Sequence, residues 1–235
     1  MHNLITPEEI NADQANFITK VFGWMAVAFI ISGYTALTIA RNYSLVQLVI
    51  SNIVILVIII AAQLGFVLWL SLNIKEMLPM KVMLFFVLYA MVCGLTISMI
   101  FQFIITDSQI GIFYILAAMF GLMSALGYLT KRDLSSWGGL ILMFVIGMAI
   151  NLAVNRYWRN DQWQLIAAGI GVIVFVGITA YSRTQIMEMN IIGNEGSDQD
   201  RNEAIMGAFV LYLNLFFLFI SIVLEANKGG KRISH

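Results

Sequence analysis

Ser182, Arg183 and Asn214 are the residues whose types and positions could do chemistry, because each interrupts or closes a long apolar stretch. Asn214 lies in "GAFVLYLNLFFLFISIVL" (Gly207–Leu224), with Tyr212 two residues earlier on another helix face. Two readings are open for Asn214. It hydrogen-bonds a neighbouring helix, worth about 0.6–2 kcal/mol, or it lines a pore or forms a latch. Ser182-Arg183 closes "GITAYSRTQIMEM" (Gly177–Met189). Arg183 either anchors the helix end at an interface, or Ser182 or Arg183 faces an internal aqueous vestibule opposite Asn214. Gln63, inside a second apolar run, is a candidate contact from another helix.

Other chemistries lack their residues. The two histidines, His2 and His235, sit at the chain ends, away from any apolar interior. That disfavours histidine metal sites and Ser–His catalysis within it. No Asp, Glu, Lys or Arg lies near the middle of an apolar run, whereas a proton-driven carrier normally needs a titratable group there. The expectation is a protein that is not an enzyme, with no catalytic residues, no cofactor and no metal site. Cys93 is the one cysteine, so no intramolecular disulfide forms. The 14 methionines read as adaptable core filler.

The elements that must hold these residues follow from composition. Of 235 residues 60% are hydrophobic and 11% charged. A soluble domain carries about 25% charged residues, so this chain is short of the charge that would cover a globular surface. About 20 apolar residues cross a bilayer as a helix. The apolar runs fall at Val21–Ala40, Leu45–Leu72, Met80–Ile105, Ile110–Thr130, Trp137–Val154, Trp163–Tyr181 and Ala204–Leu224. No sustained period-two alternation occurs, which excludes a β-barrel. The expected fold is all-α: a polytopic seven-transmembrane-helix bundle, with the lipid bilayer as its first partner. A polar N-terminal segment (1–18) precedes the membrane domain (19–226), and a polar tail (227–235) follows it. Thr6-Pro7-Glu8-Glu9 reads as the start of a short surface helix. "IIGNEGSDQDRNE" (Ile191–Glu203) reads as a mobile loop. The formal net charge of +0 gives no reason to expect nucleic-acid binding. Lys and Arg divide almost evenly between the two sides; discounting the tail after the last span places the N-terminus in the cytoplasm. Small residues at Ala117, Gly121 and Ala125, and at Ala167 and Gly171, read as helix-packing positions.

Four stretches in order resemble the Bax inhibitor-1 (transmembrane Bax-inhibitor-motif) family in its bacterial branch. They are "KVFGWM" (Lys20–Met25), "GLTISMIF" (Gly94–Phe101), "GYLTKRDLSSWG" (Gly127–Gly138), and "GITAYSRTQ" paired with "GAFVLYLN". The resemblance runs from about Phe17 to Leu224. It implies an inner-membrane bundle with the last helix near its centre. It also implies a pH-sensitive calcium leak, or regulation of membrane stress and proteolysis. The family's latch is thought to pair two aspartates near the last two motifs. This chain departs at both: the first falls on Ser182, or on Arg183 in the other register, and the second falls on Asn214.

Two close carboxylates share a proton and respond to pH, whereas Ser182 and Asn214 do not titrate. They also offer Ca²⁺ no charged oxygen, although it favours carboxylate ligands. The expectation is a channel-like or ion-leak protein of this type, calcium-permeable in the family's manner, with its acidic latch lost. The rival reading is a non-conducting regulator that binds a membrane protease through its polar tail and loops.

Overall fold

A computed structural model describes residues 6–42, 44, 46–47, 51–73, 77–104, 111–130, 137–154 and 162–233. The side chains at 53, 56, 71, 100–104, 111–113, 137, 151, 154, 162–171, 183–184 and 219–233 lie outside that description. The described residues form seven long helices and no strand: α1 (Pro7–Ala40), α2 (Ile53–Asn73), α3 (Pro79–Ile104), α4 (Gly111–Thr130), α5 (Trp137–Val154), α6 (Gln162–Met187) and α7 (Asp198–Ile233). The all-α expectation holds.

Helix ends are set by local chemistry. Thr6 Oγ1 accepts from the Glu9 backbone N–H at 3.3 Å, and Glu9 accepts from the Thr6 N–H at 2.8 Å. This reciprocal cap, with Pro7 in the first turn, starts α1. The Glu9 carboxyl is held below its ordinary range by the Thr6 backbone and hydroxyl bonds. What the sequence presented as a short surface helix is continuous with the first span, because nothing between Pro7 and Ala40 breaks the helix. At 34 residues α1 is about 51 Å long, well beyond the roughly 30 Å of hydrocarbon it must cross. The run Leu45–Leu72 is not one helix either. Asn52 Oδ1 accepts from the Val54 N–H at 3.0 Å and caps a fresh start for α2. Asn52 is thus an exposed cap and not a polar group within a span.

Chain direction alternates. Lys20 pairs with Asp200 and Ser32 with Tyr212, each 180 residues apart, so α1 and α7 run parallel in one register. Phe86 meets Phe209 and Tyr89 meets Tyr212, so α3 runs parallel to α7 as well. In α4 the order reverses: Ser124 bonds the Thr19 carbonyl, Gly121 lies by Ala26, and Phe120 stacks on Phe29. α2 runs antiparallel to α3, with Gln63 at Thr96 and Trp69 at Phe85.

Successive contacts α1–α4, α4–α5, α5–α6, α6–α7 and α7–α1 close a ring of five helices; α3 packs on α1 and α7, and α2 packs on α3. α7 exposes no residue between Asn202 and Phe216, enclosed by α1, α3 and α6, and α1 has a comparably enclosed place among α3, α4 and α7. α1 is suited to it because its buried face carries small residues, including Ala26, Ala28, Ser32, Gly33 and Ala36, which allow close approach. Gly121 lies against Ala26 of α1 and Ala117 is buried, whereas Ala125 is exposed.

The surface is inverted relative to a soluble protein. Val57, Ile58, Leu64, Leu68 and Leu72 of α2 are exposed, while Ser32, Ser98, Thr179 and Ser182 are buried. An apolar outside with hydrogen-bonded polar groups inside suits lipid as the solvent. By length and composition, Pro7–Ala40 and Pro79–Met99 are each sufficient to cross a membrane.

Candidate functional site

Ser182 and Asn214 meet. The last turns of α6 bring Ser182 to the seam with α7, where Asn214 Nδ2 donates to Ser182 Oγ at 2.9 Å. Ser182 is wholly buried and Asn214 partly so. Asn214 stands at the centre of the apolar run Ala204–Leu224, about 15 Å from either end of it. The contact is neutral on both sides. It holds two helices together without a proton to gain or lose, and it carries no charge to attract a cation. Arg183 follows on α6, but its side chain lies outside the described residues. The loop "TKRDLSS" between α4 and α5 is mostly outside them too, as are Asp107, Arg156 and the Glu225 side chain.

Gln63 is elsewhere. Its Nε2 donates to Thr96 Oγ1 at 2.9 Å and lies 3.8 Å from Cys93 Sγ, so it ties α2 to α3 and does not join the α6–α7 pair. The Tyr212 hydroxyl is 2.6 Å from Ser32 Oγ, and Ser32 Oγ also lies 2.8 Å from the Ala28 carbonyl and 2.9 Å from the Ala90 carbonyl. Ser32 thus ties α1 to α3 and α7 through the apolar centre, as Gln63 ties α2 to α3. Polar partners inside lipid are satisfied by one another because no water is there to serve them.

Aromatic rings fill the middle of the five-helix ring. Phe120 of α4 stacks on Phe29 of α1 at 5.8 Å and meets Phe175 of α6 edge-on at 5.0 Å. Met119, Met123 and Met143 are fully buried beside them, the filling role expected of methionine.

The segment Ile191–Glu203 corrects the expectation of a mobile loop. Its second part is the first turn of α7, and the rest is bonded across the molecule. Asn190 donates to Asp13 at 2.9 Å, Asn16 donates to Glu195 at 2.7 Å, and Lys20 reaches Asp200 at 2.6 Å. Gly193 and Gly196 adopt φ of 90° and 80°, conformations that side chains rarely accept, and the turns depend on them. Polar composition in sequence suggested solvent. Partners on α1, some 180 residues away, receive those groups instead. A stripe was available as a signal: Asp13, Asn16 and Lys20 stand at i, i+3 and i+7 on one face of α1.

A profile described as "Inhibitor of apoptosis-promoting Bax1" matches residues 14–226. The chain belongs to the Bax inhibitor-1 family. The match spans all seven helices, including the stretches on which the resemblance rested. Among similar proteins, the "Inner membrane protein YbhL" of Escherichia coli (strain K12) is 35% identical over 208 residues, covering 88% of this chain and 89% of its own. An uncharacterized protein of Deinococcus radiodurans is 30% identical over 233 residues, covering 99% and 98%. One of Borreliella burgdorferi is 28% identical over 207 residues, covering 88% and 89%. No solved structure matches the chain. The protein is thus a helical membrane protein of the Bax inhibitor-1 family in which Ser182 and Asn214 face each other across the α6–α7 seam.

Proposed function

We propose that this protein is a channel-like ion leak of the inner membrane in which a neutral hydrogen bond replaces the acidic latch. The observation that carries the reading is the 2.9 Å contact between Asn214 Nδ2 and Ser182 Oγ on the α6–α7 seam. Two carboxylates in that place would share a proton and part as the pH rises. An amide and a hydroxyl have no such transition, so opening is not driven by pH at this point. The rings of Phe29, Phe120 and Phe175 close the middle of the bundle in this state, as a hydrophobic constriction does. Ca²⁺ is the candidate cargo, passed weakly because the pair offers only neutral oxygens. The N-terminus faces the cytoplasm in this reading.

Calcium flux into liposomes containing the full chain tests it. Flux stays flat between about pH 6 and 8, the range in which a coupled carboxylate pair would titrate. A steep pH response that Asn214→Ala abolishes overturns the proposal. A non-conducting regulator that engages a membrane protease is the second reading, favoured by the polar groups at the α1 N-terminal end. In that case Glu8→Gln combined with Asn11→Ala, both exposed on the first turns of α1, weakens partner binding and leaves any flux in place.

A further inference from the structure

We propose that the α6–α7 connector, residues 188–197, is a strap that locks the N-terminal end of α7 onto α1, with Lys20–Asp200 as its lock. Asp200 is 2% exposed, and its Oδ2 accepts from Lys20 Nζ at 2.6 Å and from the Gly196 N–H at 2.7 Å. The same residue therefore holds α1 with one bond and folds the strap back with the other. Ser197 Oγ accepts from the Asp200 N–H at 3.1 Å and caps α7, so the strap's end and the helix start are one structure. Along α1, Asn16 takes Glu195 and Asp13 takes Asn190, so the strap is fastened at three successive points of one helix stripe.

The fastening is selective in position. It lies at the end where α1 and α7 both begin, and it fixes the register that Ser32 and Tyr212 repeat deeper in the bundle. Movement of α7 along or away from α1 requires the three bonds to part. Lys20 is the weak point because its side chain is 35% exposed, whereas that of Asp200 is 4% exposed. Removing the lysine leaves a buried carboxylate with one backbone donor, an outcome that costs far more than loss of a surface pair.

Hydrogen exchange of the full chain in lipid nanodiscs tests the strap. In Lys20→Gln, peptides covering residues 188–203 exchange roughly tenfold faster or more, the scale expected for loss of a charge-assisted bond, while peptides covering 208–216 keep their protection. Lys20→Gln combined with Asp200→Asn removes the stranded charge but not the missing lock, so the connector still exchanges faster than in the unaltered protein. The proposal is overturned if 188–203 is already unprotected in the unaltered protein, if neither variant changes it, or if protection falls equally through 208–216.

Discussion

Gly94→Ala puts the closeness of α1 and α3 to a quantitative test. A Cβ at position 94 would lie 2.5 Å from the Ser32 carbonyl oxygen, 2.8 Å from Thr35 Cβ and 3.1 Å from Ser32 Cα. Two of those three atoms are backbone, so no side chain can swing aside. Relief requires α1 and α3 to separate by roughly 0.7 Å, and interiors packed at crystal density resist such shifts. Overpacking of this kind costs about 3 kcal/mol at the upper end of its usual range. Alanine returns about 1 kcal/mol through its better helix propensity, which leaves a net loss of about 2 kcal/mol. The separation also stretches the bond from Ser32 Oγ to the Ala90 carbonyl, now 2.9 Å. Gly65→Ala is the control, because a Cβ there meets nothing within 4 Å. It should be neutral or gain up to about 1 kcal/mol. Unfolding by titration with a denaturing detergent, followed by tryptophan fluorescence, compares the two. If Gly94→Ala is as stable as Gly65→Ala, the close α1–α3 approach is wrong.

Tyr212→Phe should cost about 1 kcal/mol, while Ser32→Ala costs about 2 kcal/mol because it strands a buried phenol; a double-mutant cycle by the same unfolding assay should return a favourable coupling. Phe120→Ala empties the centre of the five-helix ring, should cost about 3–5 kcal/mol, and should raise ion flux in liposomes; unchanged flux in a folded variant refutes the constriction. Glu9 sets a local pH dependence. Its carboxyl is lowered in the folded chain by the Thr6 bonds, so its contribution is present above its ordinary pKa and is lost as the pH falls through the folded value. Exchange of the first turn of α1 should therefore quicken in acid, and Glu9→Gln should largely remove that response.

Much of the architecture is readable in the residues because bilayer physics acts through length and apolarity alone. Runs such as Met80–Ile105 and Trp137–Val154 coincide with α3 and α5 to within a residue. The break at Asn52 is not readable that way, because a cap depends on one side-chain oxygen and leaves the hydropathy of its neighbours unchanged. The connector is missed for another reason. Asn190, Glu195 and Asp200 look solvated until α1 supplies Asp13, Asn16 and Lys20 from the other end of the chain. Both positions of the candidate latch are legible through the family resemblance. Their meeting is not, since residue spacing along α6 and α7 says nothing of which faces touch. The interior place of α1 had a signal in its small residues, outweighed by a resemblance that directs attention to the last helix.

The central claim is that a neutral Ser182–Asn214 contact removes pH control from the α6–α7 seam. Its most direct test compares calcium flux, in one preparation of liposomes, for the unaltered chain and for Ser182→Asp combined with Asn214→Asp. Flat flux from about pH 6 to 8 in the unaltered chain, and a pH-dependent flux in the double variant, is the predicted result. A steep pH response already present without the two aspartates would contradict it.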